Sequence, residues 1–363
     1  MGPFSVERVS LVPSGWGISS LRLVVQGSTA RLAWVATSGQ LTGMRIESTT
    51  CSVARCATQQ ILQSLSVQGN NAGSEEVALA SSGRSTIAIW DDYQSSVGNP
   101  SLWWALSSGA RFARSRAVGA HGSDPALVGA PSGHIFAGWA SNGAGSLTIR
   151  EWTGGSRLRS APTPEGSSSG QRPQLVIAGD ALSVAWGADL DGFGASSGVL
   201  PSGPLSVATL PLGARRFQAT QTVSSDARDF TLAGTPDGRL ALAFGQVRPG
   251  MAGQDPSEEA AVATRAPGAS FATPTILETD PPEVDVGPAA TITSAGTVAV
   301  EWYTGGYLSG DIQAATVQAG AAPSPPFDLG VGTGSLAAAS YGTTAILTWA
   351  GSTAYQAQIG SAP

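Results

Sequence analysis

Short apolar runs that end in a large aromatic residue recur along the chain. They are Leu32-Ala33-Trp34, Ala88-Ile89-Trp90, Ala137-Gly138-Trp139, Val184-Ala185-Trp186, Leu242-Ala243-Phe244, Val300-Glu301-Trp302 and Leu347-Thr348-Trp349. Successive aromatics stand 47 to 58 residues apart. Short runs of this kind, bounded by Gly and polar turn residues, read as strands. A period of about fifty residues holds four strands and their turns, which is one blade of a β-propeller. The expected fold is therefore all-β: a seven-bladed propeller of four-stranded antiparallel blades. The expected blades cover approximately 19–66, 74–118, 124–163, 171–223, 228–278, 286–329, and 333–363 together with 3–11, in a single domain over 1–363.

Each repeat reads as strands A to D, and the third shows them cleanly. Ala126 to Ala130 forms A, Ile135 to Trp139 forms B, Ser146 to Trp152 forms C, and D begins near Arg157. The A–B turns carry Ser82-Gly83, Ser132-Gly133, Gly179-Asp180, Asp237-Gly238, Ala295-Gly296 and Tyr341-Gly342. Such pairs supply the positive φ of tight hairpins. In the C–D turns a Gly is followed by a Phe (Phe112, Phe217, Phe271) that is expected to open the outer strand. The last repeat lacks its own strand D. Gly2 to Leu11 matches Gly268 to Leu277 in style, so the first strand is expected to complete the last blade. That pairing would remove two exposed sheet edges.

Composition sharpens this picture. Only 12% of the 363 residues are charged, while Gly (47) and Pro (23) are abundant, as many short strands and turns require. No apolar run is long enough to span a membrane. The net charge is −6 and Lys is absent, with no basic stripe of the kind a nucleic-acid binder shows. Cys51 and Cys56 fall at the two ends of one hairpin loop, where a disulfide is geometrically easy. A bridge implies an oxidising, secreted or cell-surface setting. The segment Met1-Gly2-Pro3-Phe4 does not resemble a signal peptide.

At the level of architecture, the chain resembles the secreted bacterial seven-bladed propellers of the sialidase-like and kelch-like repeat families. Thr235-Pro236-Asp237-Gly238-Arg239-Leu240-Ala241 also resembles the turn of TolB-type repeats. The sialidase Asp-box, Ser-x-Asp-x-Gly-x-x-Trp, is met in no repeat, and WD40 marks are missing apart from an isolated Trp90-Asp91. No family's catalytic residues carry over.

Strand alternation sorts the loops onto two faces. The B–C and D–A loops hold nearly all the length variation, and irregular loops on a rigid scaffold are where binding usually sits. Off the aromatic repeat, Trp16 lies in a D–A connection, and Tyr93, Phe193, Tyr303 and Tyr307 are expected in B–C loops. Exposed aromatics stack on sugar rings or anchor a protein partner; the bland alternative is packing under their own loops. Arg172 and Arg228 stand at the starts of inner strands, and Arg248 lies on the same face. Arginine forks suit carboxylates, although surface arginines need no such role. Asp189-Leu190-Asp191-Gly192 has the spacing of calcium loops but lacks their later Glu. Calcium is the one cofactor to weigh there, against simple turn chemistry. Asp91-Asp92 and the run Glu278, Asp280, Glu283, Asp285 offer carboxylates to a glycosidase. His121 and His134 fall on opposite faces and make no pair.

The function expected from these residues is a non-catalytic extracellular binding or scaffold module that holds a glycan or protein through the B–C/D–A loop face. It would act as a monomer or within a larger surface assembly. The alternatives are a glycoside hydrolase or polysaccharide lyase using loop-face carboxylates and arginines, and a purely structural domain of a larger surface protein.

Overall fold

The computed structural model describes residues 5–10, 16–26, 29–38, 43–52, 56–65, 76–92, 100–109, 111–141, 146–168, 170–188, 202–248, 257–277, 287–306, 309–318, 321–351 and 356–362. Among the described residues there is no helix, and the strands pair antiparallel. Two compact units can be distinguished. One comprises Arg8–Val176 with Thr353–Ala357, the other Met1–Glu7, Ile177–Ser352 and Gln358–Pro363.

Three four-stranded sheets succeed one another in the first half of the chain. The first is Trp16–Gln26, Thr29–Ser38, Met44–Ser52 and Gln60–Leu65. The second is Val77–Ser82, Ser85–Asp92, Ser101–Ser107 and Arg116–His121. The third is Ser123–Gly129, Ile135–Ser141, Ser146–Trp152 and the two-residue strand Arg159–Ser160. Strand order follows chain order in each.

Two seven-stranded sheets follow. The fourth sheet runs from Gly170–Ala178 to Thr275–Ile276 and is joined at its middle by the long strand Gln221–Gly234. That strand pairs with Gly203–Pro211 through its first half and with Leu240–Arg248 through its second. Phe327–Tyr341 does the same in the fifth sheet. D–A loops were expected at both places. The chain instead passes straight from one repeat to the next, and the change of partner is absorbed by β-bulges at Arg228/Phe230 and at Gly332/Leu336. At the far edge of the fifth sheet, Ser5–Ser10 neighbours Gln356–Ala362.

The repeating aromatics form the core. Trp34, Trp90, Trp139, Trp302, Trp349 and Phe244 are among the largest fully buried side chains, and Trp186 is buried with them. Trp90 packs with Val35, Met44 and Ile46 of the preceding sheet, and Trp302 with Ala241, Ala243 and Val262 of the preceding repeat. The adjacent Trp103 and Trp104 go to opposite faces, as strand alternation requires. Trp103 packs toward the first sheet, Trp104 toward the third.

Polar contacts tie successive repeats along the same seams. Ser82 Oγ donates to the Ala130 carbonyl, Thr231 Oγ1 to the Pro288 carbonyl (2.6 Å) and Ser340 Oγ to the Ile292 carbonyl (2.7 Å). The turn phenylalanines differ from expectation. Phe112 and Phe271 lie before the outer strands, not in them, and their rings are buried beneath Arg31 and Arg265. A glutamine from the preceding repeat captures each backbone. Gln60 Oε1 accepts from Phe112 N (2.9 Å), and Gln221 Oε1 from Phe271 N (3.1 Å). The six A–B turn glycines, Gly83, Gly133, Gly179, Gly238, Gly296 and Gly342, all have positive φ, as tight hairpins demand.

Among the buried acids of the described residues, Glu301 stands in the core without an arginine beside it. Glu301 is fully buried, and neither carboxyl oxygen meets a partner in good hydrogen-bond geometry. Burial pushes its carboxyl well above the ordinary range, and the backbone of Thr348 and Ala337 offsets only part of that. Its proton is therefore held more tightly in the folded chain than in the unfolded one. The stabilising share of Glu301 is intact below the ordinary carboxyl range and is lost as pH rises toward the folded value. Glu301→Gln should gain stability over the wild type progressively as pH rises above 4.5 in paired urea denaturations. A difference that does not change with pH would contradict this.

Packing between sheets also makes a steric prediction. A Cβ at Gly129 would overlap the Ser81 carbonyl oxygen, whereas one at Gly109 meets nothing. Gly129→Ala should cost about 1–3 kcal/mol, the usual range for an overpacked core. Gly109→Ala should leave the thermal midpoint nearly unchanged.

Candidate functional site

In the unit containing Arg8–Val176, the site is built at the starts of the innermost strands. Trp90 is fully buried, and the next residue, Asp91, turns to the other side of the strand yet is also fully buried. Its Oδ1 accepts from the Glu76 amide (2.6 Å) and its Oδ2 from the Asp124 amide (3.3 Å). One carboxylate thus holds the beginnings of two successive inner strands. Glu76 in turn meets Arg22 Nη2 at 3.1 Å, with both side chains about one third exposed. Ser123 Oγ donates to Asp124 Oδ2 (2.8 Å), and Ser20 Oγ accepts from the Val77 amide (3.4 Å). A line of Arg22, Glu76, Asp91 and Asp124 results, drawn from three successive sheets.

The other unit carries its own version. Arg228 Nη1 lies 3.4 Å from Glu258 Oε2, and its Nε lies 3.9 Å from Asp229 Oδ2. Glu258 is buried in space that Gly245 leaves open, since a Cβ there would overlap Glu258 Oε1. Arg248 Nε meets the buried Glu259 at 2.7 Å.

Asp124, Arg172 and Asp229 are the non-glycine residues with positive φ among the described residues. They occupy the same repeat position, each three residues before an inner-strand leucine: Leu127, Leu175 and Leu232. Left-handed backbone at non-glycine residues costs about 1–3 kcal/mol and concentrates at ligand-binding and catalytic positions.

Trp16 opens the first strand of the first sheet, paired with Ser38, and is half-buried. The Arg45 guanidinium lies over its ring, 4.3 Å from the centroid. Arg45 Nη1 is 3.9 Å from Glu47 Oε1, and Glu47 is buried. Burial raises the Glu47 carboxyl and the Arg45 charge pulls it back. Gly43 passes beside the indole edge. The arrangement is a cation-backed aromatic plate at the rim of the sheet.

The remaining candidates sort plainly. Tyr303, expected in a loop, lies in the strand Val298–Gly306 and is buried with Ala289, Ile312, Leu336 and Trp349. Strand pairing with Ser309–Val317 extends farther along that hairpin than the sequence suggested, which draws the ring into the core. Asp91 and Asp92 likewise fall in a strand, Ser85–Asp92, and not in a loop. Tyr93, Phe193, Tyr307, Asp189 and Asp191 lie outside the described residues, as does the Glu278 to Asp285 run. Cys51 and Cys56 form the disulfide. His121 is exposed at the end of a strand, and His134 Nδ1 contacts Glu151 Oε1 at 2.6 Å. Among the described residues no three His, Cys, Asp or Glu side chains gather as a metal site. Three cavities bounded by described residues contain no Asp or Glu in their linings.

No protein-family model matches the chain, and no curated protein matches its sequence. Solved structures do match in fold. The fold is that of a sialidase-like β-propeller. A PL25 ulvan lyase superposes with a TM-score of 0.65 over 97% of this chain and 95% of its own, at 7% identity. The GH93 α-L-arabinofuranosidase of Fusarium graminearum gives 0.55 over 99% and 98%, at 11% identity. A protein of unknown function from Dyadobacter fermentans gives 0.56 over all of both chains, at 10% identity.

Asp91 should be the costliest of these groups to lose. Asp91→Ala leaves two strand-start amides without their acceptor and should lower the unfolding free energy by about 3 kcal/mol. Asp91→Asn retains one acceptor oxygen and should lose roughly half as much, as read from denaturant midpoints at neutral pH.

Proposed function

We propose that this chain is an extracellular glycan-binding propeller whose contact surface lies at the B–C/D–A rim, with Trp16 as its aromatic plate. The single observation that carries this reading is the half-buried Trp16 ring backed by Arg45. An indole held from one side by a guanidinium is fixed in orientation and keeps apolar area for the CH face of a sugar. The chain behind it spends its polar groups on structure: Asp91 is bound to two backbone amides, and Glu258 and Glu259 face arginines. The Cys51–Cys56 disulfide suits an oxidising extracellular setting. The reading takes the architecture as seven four-stranded repeats, the last completed by the first strand. The seven aromatic recurrences support the count, and the pairing of Ser5–Ser10 beside Gln356–Ala362 supports the completion.

A second reading, a glycoside hydrolase or polysaccharide lyase, draws on different observations. Two of the similar folds belong to a lyase and an arabinofuranosidase. Charged residues in left-handed backbone, Asp124, Arg172 and Asp229, recur at the inner strand starts. Product analysis separates the two readings, because turnover of a bound glycan to new reducing ends or unsaturated uronates establishes catalysis.

A glycan array followed by calorimetry tests the first reading. The ligand found should bind Trp16→Ala about tenfold more weakly, the loss of roughly 1.4 kcal/mol expected when one aromatic contact goes. Arg45→Met, which keeps the stem but removes the charge, should show a smaller loss. Unchanged affinity in both variants would remove Trp16 from the site.

A further inference from the structure

A second surface, away from the inner strand starts, carries an unneutralised charge. Six of the chain's 19 arginines fall between Arg111 and Arg159, a stretch with only two acids, Asp124 and Glu151. Four of the six line a pair of adjoining cavities of about 310 and 380 Å³ between the outer strands of the second and third sheets. Arg150 and Arg157 line one, Arg114 and Arg116 the other, and Trp104 and Ser156 border both.

The groove follows from the strand pattern. The outermost strand of the third sheet is only the two residues Arg159–Ser160. The edge of the inter-sheet core, with Trp104, Leu106, Val118 and Leu158, therefore approaches the surface there. Trp152 Nε1 donates to the Gly155 carbonyl (3.0 Å) and fixes the turn that presents Ser156 and Arg157. Arg116 pairs in register with Trp104, so its side chain shares the face turned to the third sheet. On the strand Ser146–Trp152, Arg150 and Glu151 alternate. Glu151 is thereby turned from Arg150 and is engaged by His134. Among the described residues, no carboxylate forms an ion pair with Arg114, Arg116, Arg150 or Arg157.

We propose that this outer groove binds an oligosaccharide segment bearing carboxylate or sulfate groups. Each guanidinium offers a planar fork to such an oxyanion. Spread over two joined cavities, the four forks suit an anion repeated along a chain better than one isolated ion. Between them the small apolar side chains Ala113, Ala117 and Val118 offer contact to ring CH faces. The combined size falls in the ordinary range for ligand clefts, roughly 300–1,000 Å³. Single-stranded nucleic acid suits the groove poorly. Base stacking needs an exposed aromatic, whereas Trp104 is only 4% exposed. The net charge of −6 also opposes long-range capture of a polyanion. The proposal shares the carbohydrate class of the reading above but uses none of its residues, so either can fail alone.

The test uses the whole chain with four probes: a heparin-derived sulfated hexasaccharide, hexagalacturonate, neutral cellohexaose and a twelve-nucleotide single strand. Binding of either anionic hexasaccharide supports the groove, and which one binds assigns sulfate or carboxylate. The double variant Arg114→Ser/Arg157→Ser should weaken that binding at least about tenfold. Arg84→Ser, in an exposed turn elsewhere, should leave it unchanged. Raising the salt from 50 to 300 mM should weaken it as well. No binding of either anionic probe at about 1 mM overturns the proposal, as does equal binding of cellohexaose, of the oligonucleotide, or of the double variant.

Discussion

Everything in this structure depends on the burial of one large aromatic residue per repeat between successive sheets. A four-stranded sheet with apolar side chains on both faces cannot bury them alone, and stacking against the next sheet covers each in turn. Trp90, Trp139 and Trp302 pack against the preceding sheet, and Trp34, Trp349 and Phe244 are fully buried as well. Because strands alternate sides, the same residues set the register of their neighbours. Trp34 pairs with Leu21 and Trp90 with Val77, so each aromatic holds a fixed position against the inner strand beside it.

The position of the strand ends explains why charge accumulates where it does. One step beyond the buried aromatic, the strand ends reach the rim, and polar residues there find unpaired amides at the starts of the inner strands. Asp91 exploits this directly and replaces water with two backbone donors. Glu258 solves the same problem with an arginine, Arg228. Glu301 sits one residue before Trp302, inside the seam, where burial favours its protonated form. Three fully buried acids thus adopt three solutions, set by the donors within reach of each. The rim is left with Trp16 and Arg45 as its half-exposed plate, while the outer side of the second and third sheets carries arginines that pair with no carboxylate among the described residues; Arg150 lies over the Trp139 ring.

The two surfaces differ in origin. The inner rim is produced by the regular part of the repeat, because every inner strand must begin somewhere and its first amide must be satisfied. The outer groove is produced by an irregularity, the shrinkage of one outer strand to two residues. Outer strands bury less and tolerate truncation, so they are where successive repeats diverge: four residues separate the lengths of Arg116–His121 and Arg159–Ser160.

The aromatic period, the glycine turns and the cysteine pair were legible in the sequence because each is a local signal. A Trp at the end of an apolar run has one way to be buried, a Gly at a hairpin turn supplies a φ other residues avoid, and five positions along the chain keep Cys51 and Cys56 within reach. The sequence alone therefore determined the all-β propeller class, the buried role of the repeating tryptophans and the opposite facing of Trp103 and Trp104. It did not show that Tyr303 and Asp91 lie in strands, because strand ends depend on how far a partner continues to pair. Nor did it show Arg45 over Trp16, Arg22 with Glu76, or Arg114 and Arg157 lining adjoining cavities. Those pairs are 29 to 54 residues apart in sequence and meet only because strand pairing within a sheet and packing between sheets bring their elements together. Long-range neighbourhood is the property of a packed tertiary structure, and it decided both the candidate rim site and the arginine groove.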